Sequence, residues 1–245
     1  MKTLLLSTAM VAAGSSASLA QGFTGAEIGL EYQSFSDFDE STTAYFGGAE
    51  YAFLPQFAVA ADLSFYSNSA SDDNANNFTL HGIYKTGGPR SGIGIFFGQD
   101  SIDEGDLTIF GAEGAFDFDQ GHVEGFFGTA DPEDGDAEIV FIGAEFEYDL
   151  GGGIGVIGGF DRFDLEDGGD EVSVTTFELG GSYQVASMVT VFGKIGTIEL
   201  DADTDIADGS EDDTFIAIGA EIGFGPDQGL TFSPRSIFSS APLAF

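Results

Sequence analysis

The chain contains no cysteine, only two histidines, and 6 lysine and arginine residues against 42 aspartate and glutamate. Without cysteine there is no disulfide framework and no thiolate to serve as metal ligand or nucleophile. The formal charge of -36 excludes nucleic acid as a partner, because binding phosphates needs clustered Lys and Arg. Long apolar runs are missing as well: past the N-terminus no stretch approaches the roughly 20 residues a membrane helix needs. What is present argues against a disordered acidic chain. Hydrophobic residues make up 42% of the sequence, with 37 glycines and 26 phenylalanines, enough apolar surface to fold.

The N-terminus reads as a secretory signal over residues 1–20. Lys2 precedes the apolar run Leu4 to Ala13, and small residues at Ser18 and Ala20 precede Gln21. The run is too short for an anchoring helix, so the expected mature protein begins at Gln21 and is exported without a helical span.

From Phe23 onward the pattern has period two. In Ile216 to Phe224, Ile216, Ile218, Ala220, Ile222 and Phe224 form an apolar row, while Ala217, Gly219, Glu221 and Gly223 form a small or charged one. A strand sends successive side chains to opposite faces, so one face is oily and the other carries a carboxylate. The same plan gives twelve strands, at 23–35, 43–53, 57–67, 77–86, 92–99, 107–118, 122–130, 137–150, 153–163, 172–185, 189–199 and 213–224. Their connectors alternate in kind. Ser36 to Thr42, Asn68 to Asn76, Asp100 to Asp106, Asp131 to Asp136, Asp164 to Glu171 and Leu200 to Asp212 are acidic. Those between, such as Leu54-Pro55-Gln56 and Gly151-Gly152, are short and hold only Asp119 among acids.

A meander puts alternate connectors at opposite ends, so one end is an anionic crown and the other plain. A soluble all-β protein would turn its apolar row inward and its acids outward, without segregating its loops. Burying the acidic row in a dry core would cost several kcal/mol per unpaired charge. That row must therefore be wet and the oily row must face lipid. The expectation is all-β: a transmembrane antiparallel up-and-down β-barrel of about 12 strands over residues 21–224, with the acidic loops outside. Residues 225–245 keep no alternation and contain Pro226, Pro234 and Pro242, which interrupt ladder bonding. They are expected to form a C-terminal periplasmic tail.

With its signal, its repeated Gly-Ala-Glu strands ending in an aromatic, its acidic connectors and the closing strand Ile216 to Phe224, the chain resembles Gram-negative outer-membrane β-barrel proteins. More narrowly, it resembles small porin-like proteins of alphaproteobacteria. The resemblance implies an outer-membrane location, contact with lipid and lipopolysaccharide, and small solutes as cargo. It also implies Phe224 as the terminal aromatic read by the barrel assembly machinery. The chain is shorter than the trimeric general porins, which leaves monomer or trimer open.

By parity, Glu27, Glu31, Glu50, Asp62, Glu113, Asp117, Glu124, Glu145, Glu147, Asp149, Glu178 and Glu221 face the lumen, with Asp161 near the outer rim. Lys85, Lys194 and His81 oppose them. Such a lining favours cations, and the function it predicts is passive, cation-favouring diffusion of small hydrophilic solutes. The alternative is a non-conducting structural or surface-binding barrel, and a stack of Phe96, Phe126, Phe141 and Phe192 across the axis would favour it. Asp201, Asp203 and Asp205 begin like a calcium loop, but Ile206 replaces the turn glycine and Asp212 the closing Glu. Loose Ca²⁺ or Mg²⁺ binding at the acidic loops is the only cofactor expectation. No enzyme is expected: His81 and His122 are the only histidine bases, and no Ser stands in a nucleophile motif.

Overall fold

The computed structural model describes residues 22–240 apart from 39, 70–73, 103–104, 134–136 and 205–207. The expected signal at 1–20 lies outside the described residues. Twelve strands follow in order: β1 (Gly22–Phe35), β2 (Ser41–Leu54), β3 (Phe57–Asn68), β4 (Asn74–Lys85), β5 (Gly92–Ile102), β6 (Gly105–Phe118), β7 (Gly121–Pro132), β8 (Glu138–Gly151), β9 (Ile154–Asp167), β10 (Asp170–Ala186), β11 (Val189–Asp203) and β12 (Asp208–Phe224). A short helix, α1 (Ile237–Ser240), comes last. Each strand pairs antiparallel with its sequence neighbours, and β1 closes on β12 with Ala26 opposite Phe224 and Phe35 opposite Phe215. The result is a closed 12-stranded barrel with no free edge.

The oily row points outward. On β12, Ile216 is 60% exposed while Ala217 is fully buried. Phe57, Val59, Leu63 and Phe65 stand out from β3, whose intervening residues are mostly buried. Aromatics collect at both rims. At the short-turn end these include Tyr51, Phe53, Phe57, Tyr84, Phe118 and Tyr148, with Phe57 and Tyr84 5.3 Å apart. Tyr45, Phe65, Phe78, Phe110 and Phe177 stand nearer the acidic end. An apolar band flanked by aromatic girdles is what a barrel presents to lipid.

Two expectations need correction. The strands run 11 to 17 residues, longer than the alternation suggested. Residues expected in acidic loops are instead on the ladder: Asp167 pairs with Asp170, Glu166 with Glu171, and Glu199 with Asp212. Beyond the membrane both faces are wet, so the period-two signal fades while the hydrogen-bond ladder continues.

The second correction concerns residues 225–245. Expected as a periplasmic tail, the chain after Phe224 turns back and runs up inside the barrel. The reversal uses left-handed backbone at Gly225 (φ 85), Gln228 (φ 53) and Gly229 (φ 151), conformations open to the two glycines without a Cβ clash and less favourable at Gln228. The prolines do keep this segment off any ladder. Its N–H groups find carboxylates on the wall instead: Leu230 donates to Glu27, Thr231 to Glu50, Ser233 to Glu124 and Ile237 to Asp100. This satisfies the backbone without a strand partner. Residues 241–245 lie outside the described residues.

Candidate functional site

The lumen has two differently used walls. Along β2 to β7 the carboxylates hold the C-terminal segment. Glu50, Asp62, Glu113 and Glu124 are all buried. Lys85 bridges Glu50 at 2.7 Å and Asp227 at 3.5 Å, and donates to the Thr231 hydroxyl at 2.7 Å. Burial raises the Asp227 carboxyl from its ordinary value, with Lys85 opposing. His81 lies between Asp62 and Glu113, each ring nitrogen 2.6 Å from a carboxylate oxygen, and Phe232 stacks on its ring at 6.2 Å.

Arg235, 2% exposed, is the centre of this wall. Its guanidinium donates to Glu113 at 3.1 Å and to Glu124, and lies 4.3 Å from the centroid of the Phe126 ring. Its carbonyl accepts from the Thr79 hydroxyl at 2.9 Å. At the next two residues, Asp100 accepts from the Ser236 hydroxyl and the Ile237 N–H, both at 2.8 Å, and from Asn77 at 2.7 Å. Beyond this point the lumen becomes apolar. Ile237 and Phe238 join Phe35, Tyr66, Phe96, Ile109, Phe126, Phe141, Phe163 and Phe215 in one buried cluster in the half towards the acidic end. Phe141 lies 6.0 Å from both Phe96 and Phe126. Phe192, expected in the same stack, instead sits 5.3 Å beneath the Lys194 ammonium.

The opposite wall, β8 to β12 and β1, faces a cavity of about 310 Å³. Glu27, Glu31, Glu145, Glu147, Asp161, Glu178 and Glu221 line it, together with Arg90 and Lys194. Lys194 bridges Glu31 at 2.8 Å and Glu178 at 3.0 Å, and Arg90 donates to Glu147 at 3.0 Å. Ser233 spans the two walls, its hydroxyl 3.3 Å from Glu124 and 3.4 Å from Glu145. Asp117 accepts from the Arg90 backbone N–H and lies 2.8 Å from His122. Asp149 is exposed and accepts from the Gly151 N–H at its turn. Of the six basic residues, Lys85, Arg90, Lys194 and Arg235 are thus spent inside the barrel. Once they are paired, carboxylates still outnumber cations along the cavity.

Reading the sequence missed Arg235 and the anchors Asp100 and Asp227. A signal was available. Most of the inward residues beside Phe232 are small, Ala52, Ala58, Ala60 and Ala115 with Ile83 the exception, which leaves room for something to lie there. Leu230, Phe232, Ile237 and Phe238 are also too apolar a set for a solvated tail.

The suspected calcium loop is not a loop where it is described. Asp201 and Asp203 lie on β11, Asp212 pairs with Glu199, and Asp205 lies outside the described residues. Among the described residues no group of three or more His, Cys, Asp or Glu is placed to hold a metal.

The model of a Gram-negative porin family matches residues 67–204. No curated protein matches the chain. Among solved structures, an outer membrane channel from Pseudomonas putida has a TM-score of 0.58 at 12% identity, covering 84% of this chain and 97% of that one. The NanC porin has 0.55 at 9%, covering 80% and 98%, and the KdgM porin 0.53 at 10%, covering 81% and 99%. At such identities the likeness is one of fold.

Proposed function

The chain belongs to the Gram-negative porin family, a barrel of the outer membrane, and from that premise we propose a narrow channel giving passive, cation-favouring diffusion of small hydrophilic solutes. The short-turn end, where β1 begins and β12 ends, is then periplasmic and the acidic end extracellular. The observation that carries the reading is the cavity of about 310 Å³ lined mainly by β8 to β12 and β1, whose Glu27, Glu31, Glu145, Glu178 and Glu221 outnumber Lys194, Arg90 and Arg235. Fixed carboxylates in a confined path raise the local cation concentration and repel anions. The reading assigns no reaction, since both ring nitrogens of His81 and Nδ1 of His122 face carboxylates instead of a hydroxyl nucleophile.

Planar bilayers with a salt gradient test the proposal. Purified protein gives current steps and a reversal potential on the cation side, and Glu145→Gln with Glu178→Gln moves that potential toward zero. An anion-side potential, or no steps at all, overturns it. The buried Phe96, Phe126 and Phe141 cluster towards the acidic end favours a second reading, a non-conducting barrel, for which the same recording stays silent. Phe224, at the end of β12, is the proposed assembly signal. Phe224→Ser is expected to lower the fraction of heat-modifiable, folded protein on gels of outer-membrane extracts.

A further inference from the structure

We infer that residues 225–240 form a resident plug that sets the bore and the ion preference of the lumen, with Arg235 as its selectivity-determining residue. The inference rests on the channel reading above, and goes further by assigning the path to one wall and the control of it to the C-terminal segment.

The wall is cut to fit this segment. A Cβ on Gly25 would collide with the Gly229 carbonyl, one on Gly223 with the Gln228 carbonyl, and one on Gly94 would stand 2.6 Å from the Phe232 ring. Ion pairs hold it in place: Arg235 to Glu113 and Glu124, and Lys85 to Asp227. Its tip, Ile237 and Phe238, is buried in the apolar cluster. Expelling it would take Arg235 from the buried Glu113 and Glu124 and N–H donors from the buried Glu50 and Asp100, so the segment stays in place instead of flickering as a gate.

Two consequences follow from this geometry. The plug fills most of the side of the lumen along β2 to β7 and leaves a cavity lined mainly by β8 to β12 and β1. It also takes Glu50, Asp100 and Glu113 out of the path: their oxygens are bonded to the segment and they do not line the cavity.

The test compares full-length protein with a chain stopped after Phe224, and with Arg235→Gln, in planar bilayers. The stopped chain is expected to show conductance steps larger by roughly twofold or more and a stronger cation preference, since freed carboxylates then line a wider path. Arg235→Gln, which keeps the full length should the stopped chain not fold, is expected to strengthen cation preference as well. Placement is read separately. The chain has no cysteine, so Ser236→Cys supplies a single thiol, at a position 1% exposed. It is expected to resist a membrane-impermeant maleimide until the barrel is heat-denatured.

Rapid labelling of the folded protein overturns the plug. So does conducting full-length protein matched in step size and preference by the stopped chain or, where that chain does not fold, matched in preference by Arg235→Gln. A silent full-length protein with a conducting stopped chain upholds the plug and overturns constitutive diffusion. Silence of full-length and folded stopped chain alike overturns both.

Discussion

At the scale of single residues, the contrast between Arg235 and Arg162 shows how burial sets the worth of a charge pair. Arg162 reaches Asp164 at 2.5 Å, but both side chains are 43% exposed. Water screens such a pair, which contributes at most about 1 kcal/mol. Arg235 is buried against two buried carboxylates, and removing it takes the guanidinium from both, leaving Glu113 to His81 and Glu124 to Ser233, at a cost of about 3–5 kcal/mol. Arg235→Met should therefore lower the temperature at which the folded gel band is lost, whereas Arg162→Gln should leave it unchanged. Adding Glu113→Gln and Glu124→Gln to Arg235→Met should recover part of the loss, since the two buried charges that lost the guanidinium are then neutral. The sequence placed Glu113, Glu124 and Lys194 on the inward face by parity alone. It could not place Arg235, because a residue off the ladder has no parity and its partners are more than a hundred positions away.

At the scale of elements, strand identity was legible because a barrel wall separates lipid from lumen at every residue. β3 and β4 alternate almost without exception, and the strand number and β12's end at Phe224 follow from that rhythm. The outer strand ends were not legible, since water on both faces removes the contrast on which the reading depends. The C-terminal segment was misread for a related reason: proline rules out ladder bonding, yet it does not rule out an extended chain bonded to side chains. Packing is what fixes this element. Phe232 fills a pocket floored by Ala52, Ala58, Ala60 and Ala115 and flanked by Ile83 and the His81 ring, so its loss leaves a void on the alanine side. Phe232→Ala is expected to weaken docking by about 3–5 kcal/mol. The measurement is limited proteolysis of the folded protein, with faster cleavage after Phe224 in the variant and an unchanged β-sheet circular dichroism spectrum from the barrel.

At the scale of the whole molecule, the charge of -36 is distributed by function. Inside the barrel, four basic residues and the plug's own N–H groups compensate part of the acidic row. At the acidic end little compensation exists, and the strand extensions set like charges directly opposite one another: Asp167 with Asp170, Glu166 with both Glu138 and Glu171, Glu199 with Asp212. Such cross-strand pairs repel, each by a few tenths of a kcal/mol or more, so these hairpin ends hold together against their own field. The repulsion is exposed to solvent and is screened as the Debye length falls from about 30 Å at 0.01 M salt to about 3 Å at 1 M. The buried Arg235 and Lys85 pairs are screened far less. Raising NaCl over that range should therefore stabilise the barrel, slowing backbone amide exchange in the outer turns of β9 to β12 more than at the short-turn end. Magnesium chloride at equal ionic strength should give the same protection if screening alone acts. Protection beyond that, reversed by a chelator, would mean that the crown binds divalent cations directly through pairs such as Glu166 and Glu171.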